Sequence, residues 1–226
     1  MSKYVFLIPL LPLVGFLING LGRNFLSRML VNIIGCGVLI ASFVISLLVF
    51  REMAAPGATP MVIRYFDFIK AGGLDIQASF LVDQLSALFL LVITGIGSLI
   101  HVYSIAYMSH DRDRRRFFAY LNLFIAAMLL LVLGDSYLNL YVGWEGVGLA
   151  SYLLIGFWNQ KPAYATASKK AFVMNRVGDM GLSFAIMIAF ATMGTVSFAG
   201  VQEQVNNTSE AALTGMGIML LVAAAG

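Results

Sequence analysis

One cysteine and two histidines in 226 residues leave little from which to build a redox centre. Cys36 stands alone inside an apolar run, so neither a disulfide framework nor a thiolate cluster for zinc or iron-sulfur can form, and its expected role is packing. His101 and His110 are not spaced as a ligand pair on one helix face, which leaves no haem or zinc site legible. No run matches G-x-G-x-x-G, and Gly20 and Gly22 lack the Lys-Ser/Thr that a phosphate loop needs. Charge is scarce as well, at 11% of residues, whereas 60% are hydrophobic and the mean hydropathy is +0.90. That balance excludes a soluble globular domain and predicts an all-α polytopic membrane protein whose first partner is the lipid bilayer. A net charge of +3 would suit nucleic acid, but the basic residues fall in short loops between apolar spans, where they set topology, so no nucleic-acid partner is expected.

The most informative stretch is residues 138–158, LNLYVGWEGVGLASYLLIGFW, long enough to cross a bilayer yet carrying one carboxylate, Glu145. Counting in from Tyr137, Glu145 lies eight positions deep, roughly 12 Å along a helix axis and beyond reach of the head groups. Low dielectric disfavours an unpaired carboxylate, so an acid at that depth suits a proton relay, the alternative being a structural hydrogen bond to a neighbouring helix. Gly143, Gly146, Gly148, Ala150 and Ser151 flank it, small residues that admit a second backbone.

Taken in order, the chain predicts six spans and the start of a seventh. Residues 4–21 form the first, with Pro9 and Pro12 introducing a kink and no cleavage site to make the segment a signal peptide. Residues 29–50 form the second. The segment 62–80 reads as a β-hairpin turning at Gly72-Gly73, its second arm alternating with Leu74, Ile76, Ala78 and Phe80 on one face, its first arm alternating less well. Its edge is either a pairing site for a neighbouring subunit or part of a folded surface loop.

Span three, residues 80–108, starts near Asp83 and carries His101, either a further relay group or a histidine bonded between helices. Span four is 117–133, a short loop holds Asp135, span five is the stretch above, and the connection NQKPAYATASKK leads to span six at 171–195. There Arg176 and Asp179 stand three apart on one helix face and can pair, as a structural ion pair or as part of a charge relay. The loop VSFAGVQEQVNNTSE and the beginning of a further apolar run at 211–226 follow.

Basic residues collect in alternate loops. Arg23, Arg28, Arg112, Arg114, Arg115, Arg116, Lys161, Lys169 and Lys170 fall on one side, against Lys3, Arg51, Arg64 and Lys70 on the other. The positive-inside rule then puts the hairpin outside and runs span five inward. Glu145 and Asp179 come within about 6 Å of each other in depth, compatible with one midplane network.

Three segments, HDRDRRRFFAYLNLFIAAMLLLV, LYVGWEGVGLASYLLIGFW and KKAFVMNRVGDMG, closely resemble the subunit L family of proton-translocating NADH-quinone oxidoreductases, called subunit 5 in mitochondria. The resemblance covers almost the whole chain, and its near relatives are the matching subunits of Mrp-type sodium/proton antiporters and membrane subunits of inorganic-carbon uptake systems. It implies an antiporter-like helix bundle of inverted repeats, with residues 1–116 as helices one to three plus the outer hairpin and 117–226 as the first part of the proton-translocating repeat. It also implies that Glu145 belongs to a buried glutamate-lysine pair with Asp179 and Arg176 close by, and that the partner lysine lies beyond Gly226. The cofactors it implies, FMN, iron-sulfur clusters and quinone, belong to partner subunits, its expected partners are the other membrane-arm subunits of the complex, and the expected location is the bacterial inner membrane or its mitochondrial counterpart. Proton relay candidates are Glu145, Asp179, Arg176 and His101. A sodium/proton antiporter or inorganic-carbon uptake membrane subunit, and a purely structural membrane subunit, are the competing readings.

Overall fold

Asp83 caps the helix that follows it by accepting a hydrogen bond from the Ser86 amide at 2.7 Å, while the Ser86 hydroxyl meets the Asp83 amide at 2.8 Å. This reciprocal capping box starts α3 at Gln84, so the expected span three loses its first residues, Phe80 to Val82, to a strand. The computed structural model describes residues 4–22, 25–71 and 74–226. Lys3, Arg23 and the Gly72-Gly73 turn lie outside the described residues, as do the side chains of Leu74 and Asp75.

The elements are α1 (Leu7–Leu21), α2 (Arg28–Met53), β1 (Met61–Ala71), β2 (Leu74–Val82), α3 (Gln84–Tyr107), α4 (Arg114–Leu133), α5 (Tyr137–Ile155), α6 (Pro162–Met193), α7 (Phe198–Gln204) and α8 (Glu210–Ala225). Four of them, α2, α3, α4 and α6, are long and apolar enough to cross a membrane, and α1 and α8 are shorter apolar helices. The 19 residues of α5 are diluted in hydropathy by glycines, tyrosines, Asn139 and Glu145. The helical bundle with one hairpin agrees with the expected class.

Two connections expected as loops are helical. Pro162 opens α6 at its first turn, where its missing amide costs nothing, and the alanine-rich segment behind it continues as helix, so α6 starts nine residues before the expected Ala171. Ser197 caps α7 by accepting from the Gly200 amide, placing a short helix in the last connection. Conversely α5 ends at Ile155, because the chain turns at Gly156, Phe157 packs against the first turn of α4 and Trp158 bonds to the connection before it.

β1 and β2 pair antiparallel, with an extra residue on β1 at Tyr65 and another at Phe68. These two bulges are why the first arm alternates poorly. On β2, Ile76 and Val82 are buried and Phe80 packs against the core, and Ser79, on the opposite face of the alternation, is buried against the bundle as well. That core draws on α1, α2, β2, α3 and α4 through Ile8, Leu39, Val49, Val82, Leu90 and Leu129. A second one joins α6, α7 and α8 through Ala185, Val201 and Met216. Cys36 is buried beside Val31 and Phe118, in the packing role expected of it.

The bundle has two chemically different ends. At one, Trp158 Nε1 donates to Asp111 at 2.8 Å and Arg116 Nη2 donates to the Phe157 carbonyl at 2.9 Å, tying two basic connections together. At the other, Phe80 bridges to Gly134 and Ser136 to Ser197, so the hairpin sits where α4 ends and α5 begins. Asp135 fastens it: Ser79 Oγ donates to Asp135 Oδ2, and Asn139 Nδ2 donates to Asp135 Oδ1 at 2.7 Å and lies 3.0 Å from the Gln77 carbonyl.

Candidate functional site

Gly143 sets the geometry of α5, because a Cβ there would stand 2.4 Å from the Leu131 amide nitrogen. Only glycine lets the α4 backbone come so close, and Gly146 repeats the approach one turn later against Ala127. With α4 on that side of α5, α6 packs on another, and Glu145 meets α6.

Arg176 on α6 is the centre of the resulting network. Its Nη1 donates to Glu145 Oε1 at 2.5 Å and Oε2 at 2.6 Å, and it stands 3.3 Å from Asp179 Oδ2. Its guanidinium also lies over the Phe172 ring, 4.8 Å from the centroid. The three side chains differ in exposure: Asp179 is 8% exposed, Glu145 24% and Arg176 46%. One permanently charged guanidinium is therefore shared between two carboxylates from neighbouring helices, an arrangement carrying one net negative charge when both acids are ionised.

Tyr141, Trp144 and Ser183 complete the surroundings. The Trp144 indole and Glu145 carboxylate face Asp179. Ser183 donates to the Asp179 carbonyl at 2.8 Å and stands 3.3 Å from the Tyr141 hydroxyl, which also faces Glu145. Sequence reasoning passed over Tyr141 and Ser183, although each lies four residues from a candidate acid and so on its helix face.

The structure brings three of the four candidates together and leaves His101 apart. His101 is fully buried on α3, its Nδ1 2.8 Å from the Gly97 carbonyl and its ring edge-on to Phe118 of α4 at 6.1 Å. Its neighbours are Phe118 and Asn122. The Arg176–Asp179 pair forms as the spacing predicts, but Arg176 reaches Glu145 as well, and so supplies that acid with a cation from within the chain.

Two family models match. The one described as NADH-Ubiquinone oxidoreductase (complex I), chain 5 N-terminus covers residues 68–118, and the one described as NADH:quinone oxidoreductase/Mrp antiporter, TM covers residues 134–226. NADH-quinone oxidoreductase subunit L of Mycobacterium tuberculosis (strain ATCC 25618 / H37Rv) is 49% identical over 225 residues, 99% of this chain and 35% of that protein. The subunit of the same name from Escherichia coli (strain K12) is 40% identical over 194 residues, 86% of this chain and 32% of that protein. The chain thus spans about a third of the length of these curated relatives.

Among solved structures, a chain of the membrane-bound sulfane sulfur reductase, an archaeal respiratory membrane complex, superposes with a TM-score of 0.84 at 17% identity, covering 99% of this chain and 44% of that one. A chain of the Mrp complex from Dietzia sp. DQ12-45-1b gives a TM-score of 0.76 at 23% identity, covering 96% and 23%. These two likenesses establish the antiporter-like fold. The two family models and the 49% identical relative place the chain: it belongs to the NADH-quinone oxidoreductase subunit L (chain 5) family of antiporter-like membrane subunits.

Proposed function

We propose that this chain is part of a proton-translocating membrane-arm subunit of an NADH-quinone oxidoreductase, with Glu145, Arg176 and Asp179 as the charge-relay groups. The observation that carries the reading is the single Arg176 guanidinium held between two carboxylates on adjacent helices of an apolar bundle. A proton arriving on Glu145 would weaken its hold on Arg176 and leave Asp179 as the competing partner, so proton position and side-chain pairing are coupled. Electron transfer from NADH to quinone would take place in partner subunits carrying FMN and iron-sulfur clusters. This chain would move charge only, within a bacterial inner membrane and beside other membrane subunits.

The test is the number of protons taken up per NADH oxidised in inverted vesicles, comparing wild type with Glu145→Gln in the complete gene. A lower ratio with the complex intact supports the proposal. An unchanged ratio assigns Glu145 to helix packing. A second reading, as part of a sodium/proton antiporter, is favoured by the Mrp antiporter in the description of the family model over residues 134–226. It predicts sodium efflux without NADH.

A further inference from the structure

At the basic end of the bundle, α4, α5, α6 and the connection between the last two enclose a cavity of about 350 Å³. Arg116 and Lys169 line it together with Tyr120, Tyr152 and Asn159, and no carboxylate is among the described lining residues. Arg116 is partly committed elsewhere: Nη2 donates to the Phe157 carbonyl at 2.9 Å, Asp113 lies 3.7 Å away, and the guanidinium stacks on the Phe157 ring at 4.9 Å. Its Nε is nevertheless buried with no hydrogen-bond partner. That nitrogen lies beneath other atoms and does not face the cavity; what the cavity offers an anion is the charge of Arg116 and Lys169 with no carboxylate among the described lining residues.

Its setting narrows the occupant. The cavity lies where apolar helices end, beside a belt of aromatic rings in which Trp158 contacts Phe157, Tyr107 and Tyr164. Such belts mark the depth of lipid head groups. The first turn of α6 opens close by; Pro162 has no amide and Tyr164 and Ala165 donate theirs to the Lys161 carbonyl, so its contribution is the positive end of a helix dipole. Two cations, phenol hydroxyls and an amide make a donor set for phosphate oxygens, and nothing among the described lining residues would match a choline ammonium. We propose that this cavity binds the phosphate of an anionic phospholipid head group.

The complete membrane assembly, delipidated and titrated with phosphatidylglycerol, phosphatidylcholine or inorganic phosphate, tests this by native mass spectrometry. Lys169→Glu is expected to weaken phosphatidylglycerol retention by about tenfold, and Lys169→Arg to preserve it. Lys170→Glu carries the same charge change on the next residue of α6 without being among the lining residues, and is expected to leave retention unchanged. Equal loss in Lys169→Glu and Lys170→Glu would overturn the site in favour of diffuse attraction. No loss in Lys169→Glu, or displacement of the lipid by millimolar inorganic phosphate, would overturn the lipid assignment.

Discussion

Arg176 reaches across from α6 to α5 and grips both oxygens of Glu145 with one nitrogen, while Asp179, one helical turn further along its own helix, waits 3.3 Å away. Removing the cation leaves two facing carboxylates. Arg176→Gln is expected to lower stability by about 1–2 kcal/mol, less than a fully buried pair because the guanidinium is 46% exposed. Arg176→Lys should recover part of that but not the two-oxygen contact. Thermal melting of the detergent-solubilised complete subunit checks both; a melting temperature unmoved by Arg176→Gln would show that the pair carries no weight.

Asp135 offers a different kind of test, since it holds the hairpin through Ser79 and Asn139 rather than through apolar contact. Asp135→Ala removes the charged acceptor shared by Ser79 and Asn139, leaving them only carbonyls of β2, and is expected to cost about 1–3 kcal/mol of local stability. Amide hydrogen exchange in residues 61–82 should accelerate while exchange in α2 and α3 stays slow. Uniform acceleration would contradict a local clamp.

The approach of α4 to α5 at Gly143 leaves no space for a methyl group. Gly143→Ala is expected to destabilise the subunit by about 1–3 kcal/mol through forced separation of the two backbones. Because Glu145 lies two residues on, the same change should lower proton uptake per NADH although no charge is altered. Normal melting with normal uptake would show that the helices slide apart freely.

His101 sits in another part of the bundle, edge-on to Phe118. His101→Phe removes its titratable ring without emptying the space, and is expected to leave protons per NADH at the wild-type value while altering thermal stability. A reduced ratio in an intact complex would return His101 to the relay.

Much of this was legible in advance, for physical reasons that differ from residue to residue. Long apolar runs announce helices because a bilayer admits little else, and Glu145 and Asp179 stood out because charge there is costly. The small residues flanking Glu145 announced the close helix contact, and Gly143 and Gly146 supply it. The resemblance put Arg176 close to Glu145, but its direct grip on that carboxylate was not legible, since it depends on the rotation of α6 against α5, which periodicity leaves free. Nor was the role of Asp135: a lone acid in a short loop says nothing of the Ser79 hydroxyl brought beside it from 56 residues away. The early start of α6 was hidden by Lys161, Lys169 and Lys170, whose charges read as a loop although lysine is a good helix former.

The two extra residues on β1 bear on how the chain avoids sticking to copies of itself during synthesis. An exposed strand of eleven residues carrying Val62, Phe66 and Phe68 toward solvent would be a template for aggregation. The bulges at Tyr65 and Phe68 divide its ladder into regular stretches of four residues or fewer: Met61 to Arg64, then Phe66 and Asp67, then Ile69 to Ala71. A flat incoming strand keeps step with the edge for a single stretch and then falls out of phase, so cross-β growth finds no purchase on the hairpin.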